Sequence, residues 1–235
     1  MTEAAAMSTY VLIPGAGGKA GYWRFVAPEL RDRGHDVVAV DLPAGDDSAG
    51  IEEYADAVVA AIADRRDLIL VASSLAGFSA PLVCERLDVD LLVLLAAMTP
   101  TPGESAGEWW SATGQDQAER DLKQALGYAR DAELDPLYYF LHDVPVDVAV
   151  ELMSEGEIVQ SGTPMIKPWP LTAWPDVPTR FLLARDDRLF PAGFQRRIVK
   201  ERLGFTPDEM PGGHLVALAR PLELVERLEA YRLSA

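Results

Sequence analysis

Residues Val71–Gly77 read VASSLAG, and the fold turns on how that stretch is read. The apolar run LILV (Leu68–Val71) leads into it, and FSAPLVCERL (Phe78–Leu87), with helical character, follows. A short branched apolar run bounded in this way has the pattern of a buried strand, so the stretch lies where a strand becomes a helix. Two serines among small residues at such a junction fit an ordinary strand–helix connection. They also fit a nucleophile carried on a strained turn, where strand and helix close on each other and the residues two before and two after must be small. Centred on Ser74, those flanks are Ala72 and Ala76, each one methyl larger than the usual glycine. Centred on Ser73, the later flank is Leu75, which is too bulky. Ser74 is therefore the candidate nucleophile.

Outward from this junction, apolar runs and amphipathic segments alternate. Strands are expected at Tyr10–Ile13, Val37–Asp41, Leu68–Ala72, Leu91–Ala96 and Arg180–Ala184, with a short one near Phe205–Met210. Helices are expected at Gly21–Arg33, Ile51–Arg66, Leu75–Leu87, Ala192–Leu203 and Leu222–Tyr231. The strands are continuous runs of Val, Ile and Leu rather than alternating ones, as a parallel sheet covered on both faces requires. The fold class is therefore α/β, a doubly wound and mostly parallel sheet. Residues 1–8 read as a tail and 9–235 as one domain.

The alternation breaks at about 99–177. This insertion opens on the Pro- and Gly-rich TPTPGESAGEWW, continues through two expected helices, Gln117–Ala129 and Val146–Ser154, and closes on GTPMIKPWPLTAWPDVP. Long irregular insertions in a compact domain are usually functional. It carries Trp109, Trp110, Tyr138, Tyr139, Phe140, Trp169 and Trp174, and is read as a cap. Trp109, Trp110, Tyr139, Phe140 and Trp169 are its expected pocket-lining residues; the alternative is that these rings only fasten the cap to the sheet.

A serine nucleophile needs a base, and the base needs an orienting acid. The chain has three histidines. His35, in RDRGHDVV, is read as a structural turn residue, and His142, in YFLHDVP, as a packing or gating residue of the cap. His214, in EMPGGHLVAL, follows two glycines on a loop after a late strand and is the candidate base. The acid should follow the preceding strand, where FLLARDDRLFP offers Asp186 and Asp187.

The order Ser, Asp, His, with LIPGAGG after the first strand, ASSLAG at the junction, ARDDRLFP and PGGHLVAL, resembles the α/β-hydrolase fold superfamily. The layout is similar to the small capped branch of hydroxynitrile lyases and plant methyl esterases, and to small bacterial esterase-like hydrolases. The resemblance spans about Tyr10 to the C-terminus, apart from the cap. It implies Asp187 as the acid, since Ala184, Asp187 and Pro191 fall on the family's G-x-x-D-x-x-x-P spacing, with Asp186 as the fallback. It also implies an oxyanion hole made by the backbone N–H groups of Leu75 and Ala16. The chain departs from the family at Pro14, where a histidine is usual, and at Ala72 and Ala76. Lyases of this fold use a lysine after the catalytic histidine and a threonine in the first loop; here those positions hold Leu215 and Gly15, which disfavours cyanohydrin cleavage.

The expected function is a serine hydrolase, a carboxylesterase for a small apolar or aromatic ester. A lyase using the same groups as acid and base, or a non-catalytic ligand-binding homologue, is the alternative. The net charge of −16 disfavours nucleic acid and anionic membranes as partners. GAGG lacks the spacing of a nucleotide-binding turn, and three scattered histidines with one cysteine match no metal-ligand pattern, so neither cofactor nor metal is expected. Cys84 lies in an apolar helical stretch and reads as a small buried hydrophobe. With one cysteine and no basic, apolar leader at the N-terminus, a reduced, cytoplasmic protein is expected, with a homodimer left open.

Overall fold

The computed structural model describes residues 7–156 and 159–234. Six strands form one sheet in the order β2-β1-β3-β4-β5-β6: β1 (Thr9–Ile13), β2 (Asp36–Ala39), β3 (Leu68–Ser73), β4 (Val89–Leu95), β5 (Thr179–Ala184) and β6 (Asp208–Met210). Every pairing is parallel. β1 and β3 are buried along their whole length and β4 everywhere but Asp90. Two apolar cores explain why. On one face Val11, Leu70, Leu92 and Leu183 pack with α2 (Ile51–Ile62), α3 (Ala76–Cys84) and α8 (Ala192–Leu203). On the other, Tyr10, Leu12, Val71, Val93 and Leu182 pack with α1 (Val26–Asp32) and α10 (Pro221–Arg232).

The chain steps from β1 outward to β2 and then returns to the other side of β1 as β3. In open α/β sheets, ligands bind beyond the carboxyl ends of the strands at such a reversal. The register brings Ile13 beside Ala72 and Ser73 beside Leu95, so the loop after β1 and the turn after β3 leave the same edge side by side.

Between β4 and β5 lie α4 (Ala106–Thr113), α5 (Gln115–Ala125), a π-helical turn at Leu137–Leu141, α6 (Val146–Ser154) and the short α7 (Thr163–Ile166). A four-residue α9 (Val216–Ala219) follows His214.

Several element bounds differ from the sequence reading. α4 falls where the sequence suggests a loop. A capping box starts it: the Ser105 hydroxyl accepts from the Glu108 N–H at 3.2 Å, and the Glu108 carboxylate accepts from the Ser105 N–H at 2.9 Å. That S-x-x-E pattern is legible in ESAGEWW. The helix expected over Gly21–Arg33 splits into a 3-10 turn, Ala20–Trp23, and α1. Pro28 has no N–H to close a helical bond back to Arg24. Pro207 likewise shortens the strand expected at Phe205–Met210 to three residues. The tail reading of residues 1–8 lies mostly outside the described residues. Among those described, no helix is long and apolar enough to cross a membrane.

Candidate active site

Ser74 follows directly on β3 with φ of +53°, in the left-handed region that costs a non-glycine residue about 1–3 kcal/mol. Three backbone bonds hold it there. Its N–H donates to Leu95 O at 3.2 Å, and its carbonyl accepts from Met98 N–H at 2.9 Å and from Gly77 N–H at 3.1 Å. The turn is thus fastened to the end of β4 on both sides, and the Ser74 side chain is left half-buried at the sheet edge.

The tightest approaches around this turn fall on two glycines, Gly77 and Gly15. A Cβ on Gly77 would lie 1.8 Å from Met98 O, and one on Gly15 would lie 2.8 Å from Ser74 Cβ. Ala72 and Ala76 are both buried. The demand for a missing side chain therefore sits three residues after Ser74, and methyls are accommodated two residues to either side.

His214 Nε2 lies 3.1 Å from Ser74 Oγ, and His214 Nδ1 lies 2.8 Å from Asp187 Oδ2. Asp187 is 2% exposed, and its other oxygen accepts from the N–H groups of Leu189 and Phe190 at 2.9 and 2.8 Å. Those bonds fix the carboxylate, which in turn fixes the tautomer and tilt of the imidazole. Phe190 and Phe140 stand edge-on to the His214 ring, with centroids 5.1 and 5.7 Å away. Asp186 points elsewhere: it is exposed, and its carboxylate accepts from Gly212 N–H at 2.9 Å.

The loop after β1 has three candidate N–H donors near Ser74. Gly18 N–H donates to Gly15 O at 3.1 Å, and Gly17 N–H to Gln160 Oε1 at 2.9 Å. Ala16 N–H is left. On the turn after β3, Phe78 N–H donates to Leu75 O at 3.0 Å. Among the described residues, neither Ala16 N–H nor Leu75 N–H donates to a protein acceptor. Ala16 is exposed and Leu75 is buried.

The cap aromatics divide, and this corrects the expectation of one aromatic-lined pocket. Trp109 and Trp169 are buried, and their indole N–H groups donate to Thr99 O at 3.3 Å and Phe78 O at 3.0 Å. Both sit in the core over one face of the sheet, and Trp169 ties the cap to α3. Trp110 packs behind Phe190, with centroids 5.5 Å apart. The Tyr139 hydroxyl donates to Glu119 at 2.8 Å, and its ring lines a polar cleft of about 550 Å³ with Lys123 and Arg130 that does not include Ser74. Of the five, Phe140 is the one whose ring meets His214. Phe190, on the acid loop, meets it too and was missed because it lies outside the cap.

Neither of the other histidines hydrogen-bonds Ser74 among the described residues. His35 is buried beneath β1, its Nε2 3.1 Å from the Glu229 carboxylate. His142 lies beside Gly213; burial and the Arg188 guanidinium hold it below the usual histidine range. Tyr22 has a buried hydroxyl near Asp187 and Asp143, and burial pushes it up to about 12. Cys84 is half-buried against the core, its thiol pushed up to about 12 by burial. Among the described residues, no group of three or more His, Cys, Asp or Glu could hold a metal ion.

Comparisons with known proteins cover nearly the whole chain. It is 28% identical to esterase PIR7B of Oryza sativa subsp. japonica over 254 residues, covering 93% of each chain. It is 23% identical to norfluorocurarine synthase 1 of a Strychnos species over 249 residues, covering 94% of this chain and 93% of the relative. Among solved structures, polyneuridine aldehyde esterase superposes with a TM-score of 0.73 at 21% identity, covering 96% of this chain and 99% of that one. A pyrethroid hydrolase from Sphingobium faniae JZ-2 superposes with a TM-score of 0.74, also at 21% identity, with 97% and 98% covered. Residues 10–228 match the alpha/beta hydrolase family, and the chain belongs to it.

Proposed function

We propose that this chain is a serine carboxylesterase for small-molecule esters. The observation that carries the reading is the pair of distances at His214: 3.1 Å from Nε2 to Ser74 Oγ and 2.8 Å from Nδ1 to Asp187 Oδ2. Both lie within the reach that proton transfer needs. Ser74 Oγ attacks the ester carbonyl as His214 Nε2 takes its proton. Asp187 holds the Nδ1–H and stabilises the imidazolium. The N–H groups of Leu75 and Ala16 donate hydrogen bonds to the negatively charged carbonyl oxygen; losing one such donor would raise the barrier by roughly 3 kcal/mol. His214 then protonates the leaving alcohol, and water, deprotonated by the same imidazole, releases the acid from Ser74.

Family membership and two relatives named as esterases support the ester-hydrolase class. Gly15 argues against lyase chemistry of the cyanohydrin type, because a side chain there would run into Ser74.

Hydrolysis of p-nitrophenyl esters from acetate to octanoate by wild type and Ser74→Ala, at equal concentration, tests this. Turnover by wild type and its loss in the variant is the expected result. Equal turnover by both would remove Ser74 from the mechanism.

A further inference from the structure

Three consecutive residues, Gly212, Gly213 and His214, each give a hydrogen to a different carboxylate. Gly212 N–H donates to Asp186 at 2.9 Å, Gly213 N–H to Asp143 at 2.7 Å, and His214 Nδ1 meets Asp187 at 2.8 Å. Asp186 and Asp187 share the loop after β5. Asp143 comes from the cap, 70 residues before Gly213 in the chain.

The contact is close and has little slack. A Cβ on Gly213 would lie 2.6 Å from Asp143 Oδ1 and 2.7 Å from His142 Nε2, so a side chain there would push the ends of both cap side chains aside. Those two polar atoms are buried and face each other at 4.0 Å, and neither has a hydrogen-bond partner among the described residues, so the one protein hydrogen bond that Asp143 accepts comes from Gly213. A carboxylate accepting from a backbone N–H makes a bond about twice as strong as a neutral pair. The neighbouring contacts carry the cap in the same direction. Arg188, next to Asp187, donates to Tyr138 O at 3.3 Å and lies 4.7 Å above the Tyr138 ring. Val144 and Val148 pack on Leu218, four residues past His214.

We propose that Asp143 is a positioning residue: through Gly213 N–H it sets the backbone that delivers His214 to Ser74, and so couples the seating of the cap to the alignment of the catalytic histidine. The proposal rests on the reading of Ser74, His214 and Asp187 as the catalytic set. Asp143 does not reach the reacting atoms. It removes freedom from a glycine pair that would otherwise let the imidazole drift, and misplacement on the scale of 1 Å costs catalysis about 100-fold.

The test uses full-length wild type, Asp143→Ala and Asp143→Asn. Three properties are read: the rate at which a fluorophosphonate probe labels Ser74, the downfield proton resonance of His214 Nδ1–H, and the thermal midpoint. Asp143→Ala should label about 10- to 100-fold more slowly, with the His214 resonance shifted or broadened. Asp143→Asn, whose amide oxygen still accepts from Gly213, should recover most of both. An Asp143→Ala protein that loses only thermal stability, while labelling and resonance stay as in wild type, overturns the proposal. The resonance reads the geometry without any turnover. A protein that never labels, but whose His214 resonance follows Asp143, would count against the serine-hydrolase reading and for the clamp.

Discussion

Gly77 and Met98 stand so close that a methyl on Gly77 would lie 1.8 Å from the Met98 carbonyl oxygen. The same Met98 donates its N–H to Ser74 O, so this one contact seats both the first turn of α3 and the strained serine. Gly77→Ala is expected to cost about 3 kcal/mol or more, the upper end for overpacking, because backbone cannot step aside as a side chain can. Ala76→Gly, one residue earlier, should cost only about 0.5–1 kcal/mol of helix propensity. Urea denaturation of both variants checks this; equal costs would mean that the crowding lies elsewhere.

Asp186 and Asp187 are adjacent in sequence but do different work. Asp187→Asn leaves an amide where the imidazole needs an acceptor, and kcat should fall about 10⁴-fold. Asp186→Asn keeps an oxygen for Gly212 N–H and should leave kcat near that of wild type. Steady-state kinetics on one p-nitrophenyl ester separates the two. A large loss in Asp186→Asn with none in Asp187→Asn would reverse the assignment.

The sheet was legible because its strands are buried on both faces, and that burial writes itself as unbroken runs such as LILV and LLVLL. Ser74, His214 and Asp187 were legible for a related reason: each follows a strand end, and the parallel sheet sends all those ends to one edge. The cap was less so. Its Trp109 and Trp169 look like pocket aromatics in sequence, and only three-dimensional packing reveals that their indole N–H groups are spent on Thr99 and Phe78. Asp143 carried no signal either, since a bond to Gly213 across 70 residues leaves no local pattern. The capping box at Ser105 and Glu108 did leave one, hidden by the Pro and Gly before it.

Trp109 and Phe140 should part company when truncated. Trp109 is buried against Phe190 and Phe194, so Trp109→Ala should cost about 3–5 kcal/mol of stability and leave the order of ester preference unchanged. Phe140 is half-buried with its ring against His214, so Phe140→Ala should change the preference among acyl chain lengths at small cost in stability. Thermal melts and the acetate-to-octanoate series report both. A shifted chain-length preference in Trp109→Ala, with Phe140→Ala silent, would restore Trp109 to the pocket.

Acid sensitivity is expected at the far end of the sheet from Ser74. Burial works against the charge on Glu229, but hydrogen bonds from Arg232, Tyr10 and His35 outweigh it and draw the carboxyl down from 4.5 to about 2. Tyr10 on β1 donates to Glu229 on α10 at 2.5 Å, so the group ties the sheet to the last helix. A carboxyl whose folded value is depressed stabilises the native state above its unfolded value. That contribution drains away as pH falls from 4.5 through about 2, because protons bind the unfolded chain first. Wild type should therefore lose stability over that window faster than Glu229→Gln, and the gap between their urea midpoints, widest near neutral pH, should close towards pH 2. A gap that stays constant from neutral pH to pH 2 would show that the charge on Glu229 contributes nothing to holding α10 against β1.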